Sequence, residues 1–226
     1  MKRWLITLII SAVIGFAVGY LLSVGFSFDF LKYSDGIVIG ILVIVFVLLG
    51  TSYVLARQIK KLHQTEFIGD EEDAADVIIY KKFTDYTLFV QTSLTLSVLA
   101  LCTTMVTTQK LALAIVSLVG LGFSYILLVF MNSLLQMVYP ERPLPKANDP
   151  KYAEKLLDMS DDGEKHVILI GLYKTFQLMG VALVFGIVLS TIYSVSTGNS
   201  QLFSILVMGI ILILINGKYS LSIREK

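Results

Sequence analysis

Six predominantly apolar stretches, at 4–26, 36–56, 86–108, 111–138, 167–195 and 201–221, dominate this chain. Each reaches or exceeds the roughly 20 residues that a helix needs to cross the hydrocarbon of a bilayer. In hydrocarbon every backbone N–H and C=O must be satisfied internally, so isolated runs of this length have one solution, the helix. The sequence therefore predicts an all-α polytopic bundle of six transmembrane helices, organised as one integral membrane domain over residues 1–226. With 56% hydrophobic and 15% charged residues the chain is too evenly apolar for a soluble domain or for a single anchor. The first run follows Met1, Lys2 and Arg3 in the manner of a signal peptide, yet it is longer than a signal core and lacks a small-x-small cleavage site. It reads as an uncleaved span.

The basic residues set an orientation. If the amino end is inside, sixteen Lys and Arg fall on inner segments and two, Lys32 and Lys110, on outer ones. By the positive-inside rule both termini are cytoplasmic, at a membrane crossed several times. The outer loops are then short, which argues against an extracellular receptor. The inner loops, 57–85 and 139–166, are long. A net charge of +1 gives no reason to expect direct nucleic-acid binding. The single Cys102 excludes an intramolecular disulfide and reads as a small core residue.

The first inner loop reads as two helical extensions with a break between them. Arg57, Lys60 and Lys61 carry the second span into the headgroup region, Gly69 is a candidate helix stop, and Asp70 can cap a helix opening on Glu71, Glu72 and Asp73. The second inner loop holds all four prolines. Pro140, Pro143 and Pro145 favour an extended exit from the fourth span, and Asp149-Pro150 opens a short helix to about Met159. On that helix Tyr152, Ala153, Leu156 and Leu157 share a face, suited to a membrane surface, to intramolecular packing or to a partner. Asp161 to Glu164 fits a reciprocal cap that starts the fifth span, with His166 four residues after Asp162.

Along the spans, small residues recur every fourth position in the first (Ser11, Gly15, Gly19, Ser23) and the fifth (Ala182, Gly186, Ser190, Ser194). Such faces permit close helix approach, within one chain or between copies in an oligomer. The third carries Ser93, Ser97, Ala100, Thr104 and Thr107 on one face, whose hydroxyls can turn back to carbonyls of their own helix, so the stripe need not conduct anything. No Asp, Glu, Lys, Arg or His lies mid-span, which disfavours proton relays and voltage sensing. A weak internal repeat pairs Ser52-Tyr53-Val54-Leu55 with Ser124-Tyr125-Ile126-Leu127, and Tyr80-Lys81-Lys82-Phe83 with Tyr173-Lys174-Thr175-Phe176. It suggests that spans two-plus-three and four-plus-five copy one helix-loop-helix unit. No catalytic motif stands out, and no metal or cofactor is implied; a loop hydrolase using Asp162 or His166 ranks last.

At Tyr139-Pro140-Glu141-Arg142, Lys151-Tyr152-Ala153-Glu154-Lys155-Leu156-Leu157, Asp161-Asp162-Gly163-Glu164-Lys165-His166 and Gly171-Leu172-Tyr173-Lys174, the chain resembles a family of multi-spanning membrane proteins from Gram-positive bacteria known as a domain of unknown function. The resemblance covers most of the chain. It implies a plasma-membrane location and, by analogy, company with a small helix-turn-helix regulator. The expectation is a non-enzymatic membrane protein whose inner loops dock a soluble partner such as a transcription regulator, through Tyr139, Glu141, Arg142, Tyr152, Leu156, Leu157, Asp161, Asp162, Glu164, His166, Tyr173 and Lys174. The alternative is a transport or immunity component working within the bilayer.

Overall fold

The structure, a computed structural model, describes residues 32–65, 67, 69–107, 110–139, 142 and 149–224. The first apolar run, 4–26, lies outside the described residues. Six helices follow: α1 Ser34–His63, α2 Asp70–Val106, α3 Leu111–Val138, α4 Tyr152–Asp158, α5 Asp162–Thr197 and α6 Leu202–Arg224. All but α4 are long and apolar enough to cross a membrane. The described residues contain no strand and fall into two compact units, 32–159 and 160–224.

In the first unit α1, α2 and α3 pack side by side. The buried positions of α1 are Ser34, Val38, Leu42, Val45, Leu49, Ser52, Ala56 and Ile59. Their steps of four and three residues keep one seam facing the partners, as in a coiled coil. On α2 the seam runs through Ala75, Ile79, Tyr86, Val90, Ser93, Ser97, Ala100 and Thr104, and on α3 through Ala114, Ser117, Gly120, Ser124 and Leu134. Small residues fill the middle of this seam. Ile39, Val43, Val47, Leu88, Leu118 and Phe123, by contrast, are exposed. An interior richer in hydroxyls than the surface reverses the soluble pattern and suits a solvent of lipid tails, where close packing replaces hydrophobic burial as the drive for association.

The buried hydroxyls are spent locally. Ser97 Oγ donates to Ser93 O at 2.8 Å, Thr104 Oγ1 to Ala100 O at 2.8 Å and Thr107 Oγ1 to Thr103 O at 2.7 Å. Ser93 and Ser124 share a hydrogen bond of 3.0 Å between α2 and α3, and Ser52 and Ser124 each turn back on their own helix. The stripe on the third span is thus a packing seam, as its spacing allowed. Tyr86, fully buried, donates to Leu127 O at 2.6 Å and ties α2 to α3 a second time.

Two expectations are corrected. Cys102 is exposed, because the seam passes through Ala100 and Thr104 and turns residue 102 outward. Gly69 does not end α1, which stops at His63; with φ of 65° it is the residue that precedes α2, a backbone conformation open to glycine at little cost, so Asp70 begins the helix and does not cap it. Of the proposed second repeat copy, α3 lies in the first unit and α5 in the second. Ser52 and Ser124 are still equivalent locally, both buried in a seam.

The second unit is the α5–α6 hairpin. Asp161 Oδ1 accepts from Glu164 N at 2.7 Å while Glu164 Oε2 accepts from Asp161 N at 3.2 Å, so the capping box read from the sequence is complete. At the far end Gly198, with φ of 71°, closes α5, and Gln201 N donates to Ser194 Oγ at 3.3 Å within the turn to α6. Midway, a Cβ on Gly186 would lie 3.0 Å from Met208 Sδ, so this member of the small-residue stripe admits α6 at close range.

Candidate functional site

Length decides which parts of the first unit leave the bilayer. Counting about 20 residues from the Ser34 end of α1, the Val106 end of α2 and the Leu111 end of α3 reaches the neighbourhoods of residues 54, 86 and 131. Beyond that level α1 runs on to His63 and α2 extends back to Asp70. At 1.5 Å per residue the extensions are about 14 Å and 24 Å long. They stay packed: Ala56, Ile59, Ile79 and Tyr86 form one buried cluster with Val90 and Leu134, flanked by Leu62, Phe83 and Met137. The expected inner loop 57–85 is therefore a helical pair with its own core, and among its described residues only 64, 65, 67 and 69 are non-helical.

A band of cations circles the base of this pair. Lys82 Nζ donates to Gln58 Oε1 at 2.6 Å across α2 and α1, Lys60 Nζ sits 4.6 Å from the centre of the Phe130 ring on α3, and the Arg57 guanidinium lies 4.6 Å from the Tyr53 ring. Lys61 and Lys81 are exposed beside them. Among the described residues no carboxylate lies within ion-pair distance of these five cations. The opposite end of the unit carries the ion pair of Lys110 with Asp35.

The residues expected to bind a partner divide between the units. In the first, Tyr139 ends α3 and carries the Arg142 guanidinium 4.7 Å from its ring centre. Gln136 Nε2 donates to Tyr139 O at 3.4 Å and to Arg142 O at 3.2 Å, folding this exit onto α3. Glu141 lies outside the described residues. The short helix α4 begins later than expected. Asp149 Oδ1 accepts from Lys151 N at 2.9 Å, and its other carboxylate oxygen pairs with Lys155. The Lys155 hydrogen bond, followed by that of the Lys151 N–H, holds the Asp149 carboxyl below its ordinary range. Tyr152 and Leu156 are half-buried, whereas Leu157 is 40% exposed, so the apolar face of α4 is only partly covered.

In the second unit Asp161 and Glu164 are consumed by the cap. Asp162 faces Lys165 Nζ at 3.9 Å. His166 is exposed, as are Tyr173 and Lys174, and the Tyr173 hydroxyl accepts from Gln177 Nε2 at 3.0 Å. Helical spacing sets Asp162, His166, Tyr173 and Gln177 along one side of α5, with Lys174 a quarter-turn away. The described candidates thus lie at three places: Tyr139 with Arg142 at the end of α3, Tyr152, Leu156 and Leu157 on α4, and Asp161 to Lys174 on α5. Sequence reasoning treated the cationic band only as an extension of the second span. Its signal was present in Arg57, Gln58, Lys60 and Lys61 opposite Lys81 and Lys82, but without the hairpin nothing set these stretches side by side.

Residues 1–222 match the family described as "Protein of unknown function (DUF3169)". The chain belongs to that family. Among its described residues this DUF3169 protein has five helices long and apolar enough to cross a membrane, in keeping with a multi-pass membrane protein. No curated protein and no solved structure matches the chain.

Proposed function

We propose that this DUF3169 protein is a six-span, non-enzymatic plasma-membrane protein with both termini in the cytoplasm. Its inner projections dock a soluble partner, for which a transcription regulator is the candidate by analogy. The observation that carries the reading is the packed continuation of α1 and α2 beyond bilayer length, with a buried cluster at Ile59 and Ile79. A helical pair with its own core presents a fixed surface to the aqueous phase at lower ordering cost than a loose loop. The exposed His166, Tyr173 and Lys174 supply further polar contacts on the second unit. Against a pathway through the first unit stands the local use of its hydroxyls, each bonded within a closely packed seam.

The test is site-specific photocrosslinking in native membranes, with the probe at Glu72, Leu157, His166 or, on the opposite side, Asn199. One soluble protein captured from the first three positions and not from Asn199 is the expected result. Capture should be lost when 140–160 is replaced by a flexible linker in a stably inserted chain. Equal capture from Asn199, or none from any inner position, refutes docking.

A further inference from the structure

The cationic band has a second consequence, independent of partner docking and of which side of the membrane it faces. Arg57, Lys60, Lys61, Lys81 and Lys82 lie within about two turns of the level where α1 and α2 leave the hydrocarbon. Five cations stand at headgroup depth with no carboxylate at ion-pair distance among the described residues and with Asp85 one turn from Lys81 and Lys82, so the level keeps an excess of positive charge. Two of them are held in place by neighbours on other helices, Lys82 by Gln58 and Lys60 by the Phe130 ring, so the band is already partly ordered.

We propose that this band is a seat for anionic phospholipid headgroups. The phosphate diester is the matching chemistry, and clustered Lys and Arg beside a span attract it. Lipid is favoured over a soluble phosphate by what adjoins the band. On the bilayer side α1 exposes Val54 and, two turns deeper, Val47, so acyl chains have an apolar wall directly beneath the cations. A soluble anion would use only the cations.

The test uses the full chain, purified in a neutral detergent. Native mass spectrometry measures its apparent affinity for dioleoylphosphatidylglycerol and for dioleoylphosphatidylcholine. The expected result is preference for phosphatidylglycerol, reduced by Lys61→Gln with Lys81→Gln. One lysine at a membrane surface is worth about fivefold, so the pair should lower affinity by roughly 25-fold where the effects multiply. Neither lysine makes a described side-chain contact, so the helical pair is left intact. A second variant, Lys60→Gln with Lys82→Gln, should show a loss of the same order. Equal affinity for the two lipids, or unchanged preference in the Lys61 and Lys81 variant, overturns the proposal. So does displacement of phosphatidylglycerol by inorganic phosphate at constant ionic strength, which would assign the band to soluble phosphates.

Discussion

Gly120 offers the sharpest test of the three-helix seam. A Cβ built there lies 3.3 Å from Ser97 Oγ on α2 and 3.3 Å from Val45 Cγ1 on α1, inside the usual contact range of about 3.5–4.0 Å. Neither neighbour yields easily. Ser97 Oγ is held by its 2.8 Å bond to Ser93 O, and Val45 is β-branched, with χ1 largely fixed in a helix. Gly120→Ala therefore has to shift helices by a few tenths of an ångström, and overpacking of this kind costs about 1–3 kcal/mol. Alanine also improves helix propensity by about 0.5–1 kcal/mol. Gly122→Ala isolates that second effect, since nothing lies within 4 Å of its Cβ on the same helix. The difference between the two variants removes propensity and leaves the packing cost, about 1–3 kcal/mol. Reversible unfolding by sodium dodecyl sulfate in mild micelles, followed by circular dichroism, reads it. Relief of the Gly120→Ala defect by added Val45→Ala would locate the clash. If Gly120→Ala comes within about 0.5 kcal/mol of Gly122→Ala, the seam is not packed as described.

Two further outcomes follow from the same geometry. In a double-mutant cycle of Ser93→Ala and Ser124→Ala, measured by the same unfolding assay, the coupling should be about 0.6 kcal/mol, because hydroxyls that can turn back on their own helix lose little when separated. The Asp149 carboxyl sits below its ordinary range, so its contribution to α4 is present above the unfolded value near 4 and fades as pH falls through the lower folded value. Amide exchange at Lys151 and Tyr152, corrected for intrinsic rates, should lose protection in that acid window. Asn at 149 should make the protection insensitive to pH there.

Much of the fold is legible in the sequence because its causes are local. The run at 111–138 is α3 to the residue, and the Asp161 and Glu164 box needed only three-residue spacing to be recognised. The helical extension of 57–85 was legible from charge placement. The outward turn of Cys102 follows from the Ser93, Ser97, Ala100 and Thr104 stripe that marks the inner face of α2, although the residue type by itself suggests a core position. Less legible was the seam of Ala114, Ser117, Gly120 and Ser124 on α3, since in a helix apolar on every side no alternation marks the inner face, although its small residues are plain in the sequence. Asp161 and Glu164, expected both to cap the fifth span and to meet a partner, form the cap. Gln58 could gain meaning only when Lys82, 24 residues away, was brought to it.

The sequence by itself determined that this chain makes long helices, because a backbone in hydrocarbon has no other way to satisfy its polar groups along such runs. It also determined where the ends of those helices are dressed with charge. On α1 and α3 the tertiary structure alone decided which side faces inward, whereas the hydroxyl stripe of α2 already marked it. In lipid that choice is made by the depth of contact between neighbouring surfaces, at Gly120 against Ser97 and Val45 and at Gly186 against Met208, and such complementarity belongs to pairs of helices.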